Sequence, residues 1–211
     1  MSKTAQLRVK RVLDIALALV VLVLSAPVMA VAALCVRLQL GAPVFFVQER
    51  TGRGQRPFRI IKLRTMSDER DSDGNLLADG IRCRGVGRLL RRLSIDELPQ
   101  LVNVVRGDLS LVGPRPLLPR YDDWYRQRER RRFDVRPGIT GLAQISGRNS
   151  LPWDDRLELD VRYVENWSLG LDLRILAATV KKVFSGSGVA VDPAAEMLDL
   201  DRERQLSCIS S

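Results

Sequence analysis

Ile15 to Val36 reads IALALVVLVLSAPVMAVAALCV, without a single charged side chain. A helix needs about 20 such residues to cross the hydrocarbon core of a bilayer, and this run is long enough. It exceeds the roughly 7–15-residue core of a signal peptide, and a basic stretch follows it. A helix apolar all round belongs in a membrane or in the core of a large protein, and this chain has 211 residues. Pro27 stands near the middle of the run, beside Ser25. Proline removes one intrahelical hydrogen bond and bends a helix, and the Ser25 hydroxyl is a candidate partner for a freed backbone group. Asp14 sits just inside the entrance and calls for a cation such as Lys10 or Arg11. Both flanks are basic: Arg8, Lys10 and Arg11 before, then Arg37, Arg50, Arg53 and Arg56 after. The positive-inside bias asks for both on the cytosolic face. A single crossing leaves one flank outside, whereas a helix–break–helix hairpin through one leaflet satisfies both. Proline kinks also occur in spanning helices, so both topologies stand at this point.

The rest of the chain has room for one compact domain. The net charge is +9 and unevenly spread: Arg50–Arg92 holds twelve Lys/Arg against five Asp/Glu, and Val189–Ser211 two against five. A basic body suits nucleic acid, anionic headgroups or phosphorylated small molecules. Cys35, Cys83 and Cys208 show neither metal spacing nor obvious pairing, which fits a reducing, cytosol-facing location.

Turn and alternation signals predict strands after Gly41 and over Pro57–Leu63, with a polar exposed loop over Ser67–Gly80. Gly87–Leu93 predicts a short basic helix, and Trp153–Tyr163 and Leu169–Phe184 two longer ones. Leu169–Phe184, with Trp167 beside it and Lys181 and Lys182 at its end, suits either the core or a membrane interface. Arg126–Arg136, with six arginines, predicts a helix whose basic face meets solvent or anionic lipid. Residues 189–211 predict a flexible acidic tail. The expected fold class is α/β, mostly helical with a small sheet. It has an N-terminal membrane helix over 1–38, a cytosolic domain over 39–188 and interfacial amphipathic helices.

Ser94-Ile95-Asp96-Glu97-Leu98-Pro99-Gln100 carries the candidate chemistry. The chain has no histidine, so acid–base, nucleophilic or metal work falls to carboxylates, lysine, hydroxyls or cysteine. Two adjacent acids near Arg88, Arg91, Arg92 and Arg115 point to a phosphorylated substrate and a divalent metal. A purely structural role competes: Ser94 as N-cap and Glu97 three residues on form a capping box. Gly113-Pro114-Arg115-Pro116 is a stiff turn that would hold the Arg115 fork in place for phosphate. The glycine turns around Gly138, Gly141 and Gly147 match no nucleotide fingerprint.

Together these stretches resemble the bacterial sugar transferase family, specifically its small, monotopic, PglC-like phosphoglycosyl transferases. The resemblance runs from Lys10 to about Gly188. It rests on ordered blocks: Lys10-Arg11…Asp14…Pro27; Pro43-Val44-Phe45-Phe46 with Gln48 and Arg50-Thr51-Gly52; Lys62-Leu63-Arg64-Thr65-Met66; Leu93 to Leu101; Gly107 to Leu117; Arg136 to Gly141; and Gly147-Arg148-Asn149…Trp153…Asp160…Tyr163. The family often has Thr, Pro, His and Met where Arg84, Ala78, Phe133 and Leu109 stand.

The resemblance implies transfer of a phospho-sugar from a UDP-sugar to membrane polyprenol (undecaprenyl) phosphate, releasing UMP and starting glycoconjugate assembly. It implies Asp96 as the nucleophile of a ping-pong cycle with a covalent phospho-sugar intermediate. Glu97, with Asp96, would hold Mg²⁺, and Lys62, Arg91 and Arg115 would contact phosphate. It implies a re-entrant hairpin broken at Ser25-Pro27, and a monotopic enzyme on the cytosolic face of the bacterial inner membrane. Phospholipid is then a partner and nucleic acid is not; homo-oligomerisation and the sugar are left open, with a lean to N-acetylated donors. Two other classes fit parts of the pattern. One is a membrane-tethered module binding anionic lipid or nucleic acid, and the other a metal-dependent phosphodiesterase acting on nucleotide sugars.

Overall fold

The computed structural model describes residues 3–147, 151–185 and 199–209; Arg148, Asn149 and residues 186–198 fall outside them. Eight α-helices and four strands follow one another in these residues, with short 3-10 segments between some of them: α1 (Lys3–Leu40), β1 (Phe45–Thr51), β2 (Pro57–Leu63), α2 (Asp79–Arg82), α3 (Val86–Arg92), α4 (Leu101–Arg106), β3 (Ser110–Val112), β4 (Gly138–Thr140), α5 (Leu142–Ser146), α6 (Trp153–Glu165), α7 (Leu169–Ser185) and α8 (Leu200–Ile209). The fold is mostly helical with a small sheet. β1 and β2 form an antiparallel hairpin that pairs Phe46 with Lys62, and β3 pairs in parallel with β4.

α1 is long and apolar enough to cross a membrane by length and composition. It is one helical run with Pro27 inside it. Ser25 Oγ donates to the carbonyl of Val21 at 2.6 Å. The carbonyl that Pro27 orphans belongs to Val23, four residues back, so the expected rescue of a freed group by Ser25 is replaced by a back-bond of the kind that bends helices. Val20, Val23, Leu24, Val31 and Leu38 are exposed.

Both ends of α1 are fastened to the same domain. Near its start, Lys10 donates to Val112 O (3.2 Å) and Asp172 (2.7 Å), and Arg11 to Val104 O (2.8 Å). Asp14 is buried, accepts from Ser110 Oγ at 2.7 Å and has Lys10 at 3.6 Å, as its position required. Ala18 packs on Leu101, Val104 and Leu109. Near its end, Ala32 and Val36 pack on Leu63 and Leu90, and Gln39 accepts from the backbone of Val86 at 2.8 Å.

Two expectations are corrected. Arg126–Arg136 is not a basic helix; it contains a 3-10 stretch, Glu129–Asp134, and four of its six arginines, Arg126, Arg128, Arg131 and Arg132, are held by acids of α6. Arg128 meets Glu158 and Glu165 at 3.3 Å, Arg131 meets Glu165 at 2.6 Å, and buried Arg132 meets Asp160 at 2.9 Å. The second half of the expected flexible tail is helix α8. Its Leu200 is fully buried in a cluster with Tyr121, Trp153 and Leu157, and Arg204 bridges Glu129 (2.8 Å) and Asp154 (2.5 Å). α7 turns Ile175, Leu171 and Leu176 to the core and leaves Leu173 and Val180 outside.

Truncating a fully buried leucine costs about 2–5 kcal/mol. Leu200→Ala is therefore expected to lower the denaturation midpoint of the purified chain by that equivalent. An unchanged midpoint would mean that α8 is not part of the folded core.

Candidate active site

Asp96 and Glu97 open a 3-10 segment, Ile95–Gln100, that runs straight into α4. Pro99 has no N–H to give to the carbonyl four residues back, so the first turn tightens and the α pattern starts only at Leu101. The capping box does not form. Ser94 adopts a left-handed conformation (φ 55°, ψ 21°) and its side chain caps nothing. A non-glycine residue there carries strain of about 1–3 kcal/mol, of a kind that clusters at functional sites.

Glu97 looks away from its own helix and takes two cations. Lys62 Nζ donates to its Oε1 at 2.8 Å, and Arg115 Nη2 donates to the same oxygen at 3.2 Å. Asp96 is buried, 7% exposed. Burial first, and then the charge of Glu97, raise its pKa to about 6, while Lys62, Arg91 and Arg115 act in the opposite sense. Burial also lowers the pKa of Lys62, outweighing Glu97.

Three elements converge on this pair, and each is held by a bond the sequence alone did not reveal. β2 brings Lys62. Its edge is strapped to α4 by the fully buried Asn103, which accepts from Ile61 N (3.3 Å) and donates to Arg59 O (2.8 Å). α3 brings Arg91, whose Nε donates to Thr65 Oγ1 at 2.9 Å. Gly87 permits that approach, since a Cβ there would lie 2.0 Å from the Thr65 carbonyl oxygen. The Gly113–Pro116 turn brings Arg115. A Cβ on Gly113 would meet Arg136 O at 2.4 Å, and one on Gly138 would meet Gly113 N at 2.1 Å, so the two glycine turns pack backbone on backbone. Arg132 then fixes the turn from beneath, donating to Arg115 O at 2.6 Å while Asp160 and Tyr125 hold it.

Lys62, Arg91 and Arg115 thus gather around Asp96 and Glu97, whereas Ser25 and Pro27 lie on α1. Arg50 and Arg156 were not singled out for the site; both lie within electrostatic reach of Arg115. Arg50 stood in the Gln48…Arg50-Thr51-Gly52 block, a signal that could have marked it.

The donor set suits magnesium. Mg²⁺ is commonly held by one or two carboxylates, with waters and substrate phosphates completing the octahedron. Among the described residues no group of three or more Asp, Glu, Cys or His forms a self-sufficient metal cage. Two adjacent carboxylates beside three cations would fit a metal shared with an anionic substrate.

The sequence profile of the bacterial sugar transferase family matches residues 5–186. The Bacillus subtilis (strain 168) protein named uncharacterized sugar transferase EpsL is 53% identical over 180 residues, covering 85% of this chain and 89% of that one. The UDP-glucose:undecaprenyl-phosphate glucose-1-phosphate transferase of Caulobacter vibrioides is 43% identical over 186 residues, 83% of this chain and 70% of the relative. The UDP-N-acetylgalactosamine-undecaprenyl-phosphate N-acetylgalactosaminephosphotransferase of Aeromonas hydrophila is 40% identical over 189 residues, 85% of this chain but 44% of the relative. This chain belongs to the bacterial sugar transferase family. It is an enzyme, a phosphoglycosyl transferase.

The Asp96 pKa gives a stability prediction. It is raised from 3.8 to about 6, so its contribution to stability is fully present below pH 3.8 and lost as pH rises through 6. At pH 8, with EDTA present, the ionised carboxylate opposes folding by about 3 kcal/mol. Asp96→Asn is expected to raise the denaturation midpoint at pH 8 and to lose that advantage below about pH 4. A variant less stable than the parent at pH 8 would contradict the burial argument.

Proposed function

We propose that this enzyme transfers a phospho-sugar from a UDP-sugar to polyprenol phosphate through a covalent intermediate on Asp96. The observation that carries the proposal is the pairing of Lys62 and Arg115 on Glu97, which leaves both their hydrogen bonds off the neighbouring carboxylate. A carboxylate attacks an anionic diphosphate poorly unless charge around the phosphorus is neutralised. Lys62 and Arg115 stand where they can pass N–H donors from Glu97 to the entering phosphate. Arg91, fixed by Thr65, adds a positive charge that acts on Asp96.

Asp96 Oδ attacks the sugar-bearing phosphorus, the P–O bond to the nucleoside-side phosphate breaks, and UMP leaves with that bridging oxygen. A phosphate oxygen of the polyprenol phosphate then attacks the same phosphorus. Asp96 regains its carboxylate, and the product is a polyprenol diphosphate sugar. Division into two half-reactions lets a soluble donor and a lipid acceptor use one site in turn. Glu97 and Asp96 would hold Mg²⁺, which when bound supplies neutralisation of diphosphate charge.

The acceptor lies in a membrane, and α1 supplies the route to it. In the proposed topology α1 enters and leaves through the cytosolic leaflet of the bacterial inner membrane, bending at Ser25-Pro27, and the enzyme is monotopic. Supporting this are the attachment of both ends of α1 to the one domain and the exposed apolar side chains between them. A straight crossing would carry one attached end away from the domain. The general reaction is also the one that the names of the Caulobacter and Aeromonas relatives describe.

The test uses detergent-solubilised protein, Mg²⁺ and a panel of UDP-sugars, both simple and N-acetylated, with and without polyprenol phosphate. UMP release sustained only when the lipid is present, and lost by a factor of at least about 10³ in Asp96→Asn, is the expected result. Sustained free sugar phosphate and UMP without lipid would replace the transferase by a phosphodiesterase. Unchanged turnover in Asp96→Asn would remove the nucleophile.

A further inference from the structure

Lys62 shares its face of the β1–β2 hairpin with an aromatic ring. Paired residues of an antiparallel hairpin send their side chains to the same face, about 5 Å apart. The register sets Phe46 opposite Lys62, Gln48 opposite Ile60 and Arg50 opposite Phe58. A hydrogen bond from Arg50 to Gln48 Oε1 agrees with alternate residues of β1 lying on one side. This is the face from which Lys62 reaches Glu97. Phe45 and Val47 stand opposite Leu63 and Ile61 and so turn the other way. Phe46 is therefore the neighbour of Lys62, and it is 45% exposed.

Phe45 and Val47 are exposed as well. A run of three exposed apolar residues on a strand is a liability in water unless it has a function. Where β1 begins indicates what covers the ring. Residues 41–44 alone separate the end of α1 from Phe45. Val44 packs with Ala32 and Val36 of α1 and with Leu63 of β2, so the strand starts against the end of that helix. Leu34 and Leu38, in the last two turns of α1, are exposed too. Exposed apolar side chains thus run from the helix that is long and apolar enough for a membrane onto the strand that carries Phe46. A nucleoside base would ask for hydrogen-bond partners at its edge. Phe46 is flanked along the strand by Phe45 and Val47, and Gln48 Oε1 already accepts from Arg50. A hydrocarbon asks for no partner.

Lys62 and Phe46 together present an ammonium for an anion and a ring for hydrocarbon on adjacent positions of one sheet face. In a polyprenol phosphate the phosphate is bonded directly to the first isoprene unit, so the ligand carries the same two chemistries side by side. We propose that Phe46 packs against the first isoprene unit of the lipid acceptor while Lys62 contacts its phosphate. The end of α1 and the start of β1 then form the edge over which the prenyl chain passes from the bilayer to Asp96. This assignment deepens the transferase reading above and rests on it.

The experiment measures equilibrium binding of radiolabelled farnesyl phosphate, a short polyprenol phosphate, and of UMP to the full chain in detergent. Covering a half-exposed phenyl ring with hydrocarbon makes Phe46→Ala weaken farnesyl phosphate by about fivefold or more. UMP affinity is expected to change by less than about twofold. Phe46→Gln keeps most of the size without the apolar surface and is expected to show the same loss, so the test does not hang on one variant folding. Phe46→Leu is expected to recover most of the affinity, because an isoprene unit needs an apolar surface and not a ring. Phe45→Ala, on the opposite face, is expected to stay within about twofold of the parent. Unchanged farnesyl phosphate affinity in both Phe46→Ala and Phe46→Gln would overturn the proposal. An equal loss in Phe45→Ala would overturn it too, by making the strand a general contact with the bilayer. Loss of UMP affinity with farnesyl phosphate unaffected would overturn it by giving the ring to the nucleoside. If the parent bound farnesyl phosphate through Phe46 yet released no UMP from a UDP-sugar in its presence, the transferase reading would fail and the prenyl contact would stand.

Discussion

Glu97 accepts from two cations at once, Lys62 at 2.8 Å and Arg115 at 3.2 Å, and most of the fold serves to bring those cations to it. Two neighbouring carboxylates in a buried place repel each other and lose hydration, and the raised pKa of Asp96 measures that conflict. The conflict is tolerable because β2, α3 and the Gly113–Pro116 turn each deliver a positive charge. None of the three could come so close without a special residue behind it. Asn103 ties β2 to α4, Gly87 lets α3 touch the Thr65 backbone, and Gly113 and Gly138 let two turns stack. Arg132 and Asp160 form a buried pair beneath Arg115. Removing one member of such a pair costs about 3–5 kcal/mol, so the support is rigid as well as well placed.

The same domain anchors both ends of the apolar helix. Lys10 and Asp14 at one end, and Val36 and Gln39 at the other, spend their bonds and contacts on it. The packing of Ala18 on α4 and of Val36 near α3 puts the helix directly behind the elements that carry Asp96, Glu97 and Arg91. In the proposed reaction, chemistry and lipid contact would thus share one piece of framework. A site that received a water-soluble sugar nucleotide and a lipid phosphate in turn would need that proximity.

Much of this was legible in the sequence where the signals are local. Alternation placed β2, periodicity placed α3, α6 and α7, and the charge-free run placed α1. The acidic pair stood out because residue type alone restricts the chemistry in a chain without histidine, whereas Lys62, Arg91 and Arg115 came together only through the family resemblance. What failed depended on partners far along the chain. Ser94 and Glu97 have the spacing of a capping box, yet that spacing says nothing about Lys62 and Arg115, which outbid the helix terminus for Glu97. The stretch 126–136 read as a basic face because Glu158, Glu165 and Asp160, the partners of Arg128, Arg131 and Arg132, lie some thirty residues on. α8 read as tail because its composition is acidic, although Leu200 and Arg204 bury against segments about fifty to eighty residues earlier.

The central claim is that Asp96 carries the phospho-sugar between donor and acceptor, and isotope exchange tests it most directly. Enzyme, unlabelled UDP-sugar and radiolabelled UMP are mixed with Mg²⁺ in the absence of polyprenol phosphate. A covalent intermediate makes the first half-reaction reversible on its own, so label is predicted to pass from UMP into UDP-sugar, and to stop doing so in Asp96→Asn. Failure of label to enter UDP-sugar until polyprenol phosphate is added, under conditions where the complete reaction runs, would contradict the account and require direct transfer from donor to lipid.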